Sequence, residues 1–436
     1  MGAPSIPPPS LGGHQSPAFV HTSAGEASGL GPAATADLRW LYEILDDPMI
    51  DEADLGPRRA CRYLARCSGD SLGLLIPLDS PRSAAAIFQR RNDGQSWSER
   101  AIGRAGEAGA RCSLLGPVFE SGLGNRLPAV PGTVITLPEP ALLPYLRAQL
   151  DEPDLMAAVT VGPPRRNRKP VLQLLRSTGE TIGFAKIGWS PLTRSLVDNE
   201  GAVLQHVSDH RLSGERTPLI SIPSVLLDAD WGPHRVVVTS PIGRPQAWGR
   251  PFRSSTMTHA SITRAVANLT GVQTQTVGDA PQIKYLASQD PEMQYLAERL
   301  RALHGSTQVD VGLWHGDLTP WNVITTSSEA GIWDWEFAGT ERPVGFDALH
   351  RHFEHHRRSS GGSNDLALQA VVTDAAAVVR PVGYPRNVAA IDAIVDWYLA
   401  ELLAREIALT GQRWSGGAVG DLGDTLRPLL RDRLGP

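Results

Sequence analysis

His315-Gly316-Asp317-Leu318-Thr319-Pro320-Trp321-Asn322, followed twelve residues after Asn322 by Asp334-Trp335-Glu336, is the stretch that decides the reading of this chain. Between the two lie Val323-Ile324-Thr325, a polar turn from Thr326 to Ala330, and Gly331-Ile332-Trp333, which read as two short strands around a five-residue loop. Antiparallel pairing about Ser328 sets Val323 opposite Trp333 and Asn322 opposite Asp334. An amide oxygen and a carboxylate side by side are the hard oxygen donors that Mg²⁺ takes while it binds substrate phosphates. Asp317, five residues upstream of Asn322, is placed to accept the proton of a substrate hydroxyl, as the Asp of a kinase H-x-D-x-x-x-x-N loop does. The competing reading is a chance match on a solvated turn, and the correctly spaced D-x-E weighs against it. His315 is expected to order the loop by hydrogen bonding to backbone, since a carboxylate already fills the role of base.

These residues resemble the aminoglycoside phosphotransferase and choline kinase-like family, whose loop reads H-G-D-x-x-x-x-N and whose metal carboxylate lies in an I-D-x-E stretch. Here they stand as HGDLTPWN and IWDWE. The resemblance implies an α+β, two-lobed protein-kinase-like fold, with a small antiparallel β-sheet lobe and a mostly helical lobe. It implies Asp317 as catalytic base, with His315 beside it, Asn322 and Asp334 as Mg²⁺ ligands, and Glu336 as a supporting carboxylate. Gly345-Phe346-Asp347-Ala348-Leu349 is similar to the family's downstream G-x-D-L-A segment, in which the Asp buttresses the catalytic loop. Asp347 reads equally as a helix N-cap.

The upstream half of such a kinase is marked by composition. Lys169, Lys186 and Lys284 are the only lysines, and every other side-chain cation apart from histidine is arginine. Lys186 ends the apolar run Ile182-Gly183-Phe184-Ala185-Lys186-Ile187, a buried strand bounded by Gly179 and Gly188, where a compact ammonium suits nucleotide phosphates. Ser190 offers an N-cap and Pro191 a first-turn residue to a helix whose stripe is Leu192, Leu196, Val203 and Val207. Glu200 lies within that stripe, where an unpaired carboxylate is costly, and Lys186 is its natural partner. A snorkelling Lys and a partly exposed Glu are the alternative. Between the strands Met156–Val161 and Val171–Leu175 runs Gly162-Pro163-Pro164-Arg165-Arg166-Asn167-Arg168-Lys169-Pro170. With one Gly and three Pro it is no flexible phosphate cradle, so Arg165, Arg166, Arg168 and Lys169 are candidates to hold phosphates by side chain, or simply a solvated turn. Val236–Thr239, leading into Ser240-Pro241-Ile242-Gly243, falls where a hinge reading adenine is expected.

The chain of 436 residues has material for two or three domains. Residues 1–37, rich in Pro, Gly, Ser and Ala and poor in charge, read as a disordered tail without the pattern of a secretory leader. Residues 38–150 form an extension of unknown role, with a helix around Leu38–Tyr42, strands at Leu72–Ile76 and Thr133–Leu137, and an amphipathic segment at Ala141–Arg147. Residues 151–240 make the kinase-like N-lobe, and residues 241–436 the C-lobe, with helices at Ala260–Leu269, Met293–Leu303, Asp365–Val379 and Val388–Leu409. Cys61, Cys67 and Cys112 lack C-x-x-C spacing and read as reduced thiols, which together with the absence of a membrane-length apolar run points to a cytoplasmic protein. A net charge of −5, and a basic stretch from Gln89 to Arg111 that is interrupted by Glu and poor in aromatics, exclude nucleic acid as a partner; oligomeric state is left open.

The function expected is transfer of the γ-phosphoryl of ATP, or GTP, with Mg²⁺, to a hydroxyl of a sugar, amino sugar or related small alcohol. Acidic and basic residues after Glu341 nearly balance, which favours a neutral or weakly charged acceptor, and Trp335, Trp397 and Trp414 offer stacking faces. Two alternatives stay open. One is a catalytically inactive kinase-like regulator. The other is a metal hydrolase built on His350, His352, His355 and His356 with Glu354 among them, although H-E-x-x-H order is missing and Arg357 and Arg358 follow.

Overall fold

The structure, a computed structural model, describes residues 30–46, 58–91, 132–213, 220–242, 257–325, 329–384, 387–410 and 422–435. The expectations placed on Ser328, Trp414 and Cys112, and on most of the Gln89–Arg111 stretch, lie outside them.

The first described element is α1 (Pro32–Leu45), which opens with Pro in its first turn and buries Ala34, Leu38, Leu41 and Leu45 on one face. Residues 32–37, which the sequence reading placed in a disordered tail, are therefore helical instead, because that apolar stripe starts before position 37 and has a sheet to pack on. Next come β1 (Ala60–Ser68), β2 (Ser71–Pro77), α2 (Pro81–Arg91), β3 (Thr133–Pro138) and α3 (Leu142–Leu150). They lead into β4 (Met156–Thr160), β5 (Val171–Leu175), β6 (Thr181–Gly188), the long helix α4 (Pro191–Ser213), β7 (Ile220–Ser221), β8 (Val225–Trp231) and β9 (His234–Thr239).

Eight of these strands form one sheet in the order β3-β1-β2-β4-β5-β6-β9-β8, with every neighbouring pair antiparallel. β2 joins β4 directly, Leu75 opposite Val159, so the sheet crosses position 150 without a break. One face packs on α1 and α3 through Leu41, Leu142, Leu146, Leu172 and Val236, and the other carries α2 through Ala84, Ile87 and Phe88. The small lobe is thus larger than the sequence reading allowed, because the extension supplies three of its strands.

The second half is built from α5 (His259–Ala267), β10 (Gln273–Thr276), α6 (Pro281–Ala287), α7 (Pro291–His304), β11 (Gln308–Trp314), β12 (Val323–Thr325), β13 (Ala330–Ile332), β14 (Gly339–Pro343), α8 (Phe346–Ser359), α9 (Asn364–Val379), α10 (Val388–Thr410) and α11 (Leu422–Leu434). Its core joins α7, α8, α9, α10 and α11 around Phe346, Phe353, Trp397 and Tyr398. A separate cluster of Val203, Leu204 and Val207 from α4 with Leu313, Leu318, Ile332 and Trp335 fastens α4 to the segment that carries the quoted motif. The fold is α+β and two-lobed, an antiparallel sheet lobe beside a mostly helical one, as the sequence reading expected. Among the described residues no helix is long and apolar enough to cross a membrane.

Candidate active site

The site begins with the turn at the end of β11. Gly316 has φ +82, and a Cβ there would fall 2.2 Å from the carbonyl oxygen of Phe337, so only glycine lets the chain pass. The turn is then held from both sides. The carboxylate of Asp347, at the start of α8, accepts the backbone N–H of His315 at 3.0 Å and of Gly316 at 3.1 Å. Asp347 is fully buried and does not cap its own helix; burial pushes its carboxyl up to about 7 even though both N–H groups favour the charged form. His315, also fully buried, lies against Trp335, with Nε2 donating to the carbonyl of Trp333 at 3.1 Å and Nδ1 accepting the N–H of Asp317 at 3.2 Å. Burial lowers its pKa to about 4, which keeps the ring neutral and its two nitrogens in those roles. His315 orders the loop from within it.

These contacts present Asp317. Its Oδ2 accepts from Asn322 Nδ2 at 2.9 Å, and that amide nitrogen also reaches the Asp317 carbonyl at 3.0 Å. Nε2 of His350 lies 3.7 Å from Oδ1, while Nδ1 of the same ring meets the Tyr398 hydroxyl at 3.1 Å. Burial would raise the Asp317 pKa, but His350 and Arg405 outweigh it and hold the group below the usual carboxylate range. Arg405 donates to the carbonyl of Gly316 at 2.8 Å and stacks on Phe337. Neither His350 nor Arg405 was singled out for this place, because they come from α8 and α10, far along the chain.

The β12–β13 hairpin differs in register from the sequence expectation. Val323 pairs with Ile332 and Thr325 with Ala330, so Asn322 faces Trp333, whose N–H it accepts at 3.2 Å. Asp334 leaves the ladder altogether, with φ +71 in the left-handed region that Asp tolerates better than most residues. Its carboxylate is thereby turned towards β6.

There it meets Lys186. The ammonium contacts Oε2 of Glu200 at 2.6 Å and also pairs with Asp334. Burial alone would strip the proton from Lys186, but Asp334, Glu200 and Glu336 together raise its pKa. Asp334 is in turn held low: burial opposes this, and Lys186 and Lys169 prevail. Glu200 is 1 % exposed, and burial raises its pKa against the pull of Lys186; its Oε1 also accepts the N–H of Trp335 at 3.3 Å. Asn199 alongside donates to the carbonyls of Glu336 and Ala338. Helix α4, capped at its start by Ser190 Oγ accepting from the N–H of Thr193, thus grips the whole Asp334–Ala338 segment.

The basic turn before β5 divides in two. Arg165 and Arg166 are exposed on it. Arg168, expected to meet phosphates, is buried instead: its Nη1 donates to Asp37 of α1 at 2.7 Å and its guanidinium lies 4.4 Å from the centre of the Trp40 ring. The sequence reading failed there because its partner sits 131 residues away. Lys169 forms a buried ion pair with Glu336. The histidine-rich stretch also divides, since His350 points to Asp317, Glu354 pairs with Arg357, and His355 is exposed. His352 and His356 come together with Asp374, and the ring of His355 lies edge-on to that of His356. Trp335 and Trp397 are core residues with no exposed face, and the tryptophan open at the loop is Trp321, 41 % exposed.

No protein-family model matches the chain, and no curated protein matches it. Among solved structures, a choline kinase from Streptococcus pneumoniae shares 13 % identity over 67 % of this chain and 98 % of its own, with a TM-score of 0.40. An amicoumacin kinase in complex with AMP-PNP, Ca²⁺ and Ami shares 12 % over 67 % of this chain and 93 % of its own, with a TM-score of 0.35. An aminoglycoside phosphotransferase from Streptomyces rimosus shares 17 % over 58 % of this chain and 97 % of its own, with a TM-score of 0.31. The reading of the site rests on the geometry of Lys186, Glu200, Asp317, Asn322 and Asp334.

Proposed function

We propose that this chain is a small-molecule kinase of the aminoglycoside phosphotransferase and choline kinase-like kind, moving the γ-phosphoryl of ATP or GTP to a hydroxyl of a sugar, amino sugar or related small alcohol. The observation that carries it is the strand ammonium of Lys186 held between helix Glu200 and Asp334, with Asp317 on the adjoining loop. That is the Lys–Glu–Asp arrangement by which kinases organise a nucleotide.

The donor set fits a hard cation. Asn322 commits its amide nitrogen to Asp317, which leaves its oxygen for a metal, and Asp334, Glu200 and Glu336 bring carboxylate oxygens within 4.8 Å of one another. Asn322 and Asp334 would hold Mg²⁺, which supplies charge neutralisation at the phosphates. Lys186, fixed in the charged state, contributes a second cation towards them. Arg165, exposed on its turn, is a further candidate to meet those phosphates.

Asp317, ionised at neutral pH, accepts the acceptor hydroxyl's proton as that oxygen bonds to the γ-phosphorus and the bridging oxygen departs with the nucleoside diphosphate. With so low a basicity its main work is orientation. Asp347 and His315 keep the loop in shape for this, and His350 and Arg405 set the charge around it. Every charged group that the chemistry asks for is present, which favours a working enzyme over an inactive regulator.

Thermal unfolding with ATP or GTP, each with and without Mg²⁺, tests the reading, because a ligand of the folded state raises the midpoint. A rise that needs both nucleotide and metal supports it. No rise with either nucleotide returns weight to the inactive scaffold.

A further inference from the structure

The acceptor hydroxyl must approach Asp317, so the surface beside that carboxylate decides what kind of molecule is admitted. Helix α8 forms one wall of it, since its His350 lies against Asp317. The sequence of this helix, FDALHRHFEHHRRS, has only Asp347 and Glu354 as acids. Both are spent: Asp347 on the backbone of the loop, and Glu354 on both guanidinium arms of Arg357.

Two of its three arginines are not spent on either acid. Arg351 and Arg358 are seven residues apart, two turns of helix, and share a face. Arg358 stands 3.7 Å over the exposed ring of Trp321 in the catalytic loop. Arg351 is half-buried, and burial alone lowers its pKa, with no charged partner among the described residues to offset it. Its charge is felt by His259, whose Nε2 lies 3.3 Å from the carbonyl of Leu318 in the same loop. Arg405 adds a third cation, which donates to the Gly316 carbonyl, stacks on the Phe337 ring and is favoured by the charge of Asp317. Arg351 and Arg358 thus share the face of α8 turned to the loop, with Arg405 beside it, and among the described residues neither Arg351 nor Arg358 is paired with a carboxylate. A half-buried cation without a partner costs stability, and the cost is recovered when an anion binds.

We propose that the acceptor is an anionic alcohol, carrying a carboxylate or phosphate beside the hydroxyl to be phosphorylated, and that Arg351 and Arg358 of α8 grip that anion. Guanidinium is the side chain best shaped for either group, because its fork donates two parallel hydrogen bonds. The proposal deepens the kinase reading and rests on it. It also replaces the neutral or weakly charged acceptor suggested by the balance of charges after Glu341, since that balance averages over surfaces that never face Asp317.

The test uses the full chain saturated with AMP-PNP and Mg²⁺, which occupies the phosphate-binding groups, and follows the unfolding midpoint on adding glycerol, glycerate, glycerol phosphate or ethanolamine. Glycerate or glycerol phosphate should raise the midpoint while glycerol and ethanolamine leave it in place. In the Arg351→Gln/Arg358→Gln variant the response should shift to concentrations about tenfold higher or more, as expected for a lost charge-assisted contact. Arg351→Lys/Arg358→Lys should restore part of it, which separates charge recognition from a structural defect. Equal response to glycerol or ethanolamine, no response to either anion, or an anion response that survives in the double Gln variant overturns the proposal. Failure of AMP-PNP and Mg²⁺ to stabilise the wild-type chain is a separate result, which removes the kinase reading itself and this proposal with it.

Discussion

Lys169 and Glu336 form an ion pair in which each side chain is 4 % exposed, joining the turn before β5 to the D-x-E segment. A carboxylate left alone in such a place is expensive. Lys169→Met should lower stability by about 3–5 kcal/mol in urea denaturation, and Lys169→Met/Glu336→Met should recover most of it, because the second change removes the stranded charge. A double variant as unstable as the single one would mean that the pair is not the origin of the loss.

The two acids of the site are expected to separate by role. Asp334→Ala should abolish the Mg²⁺-dependent rise in midpoint with nucleotide. Asp317→Asn should keep that rise and lose turnover by about 10²–10⁴-fold, the usual worth of a positioned proton acceptor. Calorimetric titration with MgATP and measurement of diphosphate release together check this, and equal loss of nucleotide binding in both variants would sink the assignment.

Gly316→Ala should be far more harmful than a surface glycine replacement. It forces a side chain into a left-handed turn and against the Phe337 carbonyl, so we expect a loss of about 1–3 kcal/mol for the backbone strain alone, with little turnover left. Replacing Gly271, which also has a positive φ but has open space where its Cβ would lie, gives the control in the same denaturation experiment.

Two buried histidines make stability depend on acid. Burial lowers the pKa of both His259 and His315 to about 4, from an ordinary value of 6.5. These two rings bind fewer protons in the folded chain than in the unfolded one between those values, so their contribution is complete above the unfolded pKa and is lost as pH drops from 6.5 towards 4, whereas Asp347, raised to about 7, works in the opposite sense. Urea midpoints of wild type and His259→Gln compared across that range isolate the ring, and the wild type should lose more stability than the variant on going from about pH 7 to roughly pH 5. Parallel profiles for the two proteins would contradict it.

The half that carries the candidate site was legible because its elements are written in local signals. Ile182–Ile187 is apolar between glycines, Ser190-Pro191 starts a helix, and the stripe of α4 repeats at helical spacing. β1 and β8 escaped notice for a physical reason: Arg62 and Arg66, or Asp228 and Asp230, sit on their solvent faces and break the apolar run that marks a strand. The Lys186–Glu200 pair was readable because a carboxylate inside an apolar stripe needs a partner. Arg168–Asp37, His350 beside Asp317 and the register of the β12–β13 hairpin were not, since each depends on contacts or a turn geometry that residue type alone does not fix. Lys169 fell between the two cases. Its rarity marked it as special, and only the fold shows that it answers a carboxylate.

The pairing of Leu75 with Val159 bears on how this protein can be divided. A chain begun after residue 150 would leave β4 with a bare row of backbone donors and acceptors, and would uncover the side chains that now lie under α1 and α3. It would also take Asp37 from Arg168, loosening the turn that holds Lys169. The half that carries the candidate site is therefore not a detachable cassette. Expressed alone it should stick to copies of itself through that open rim.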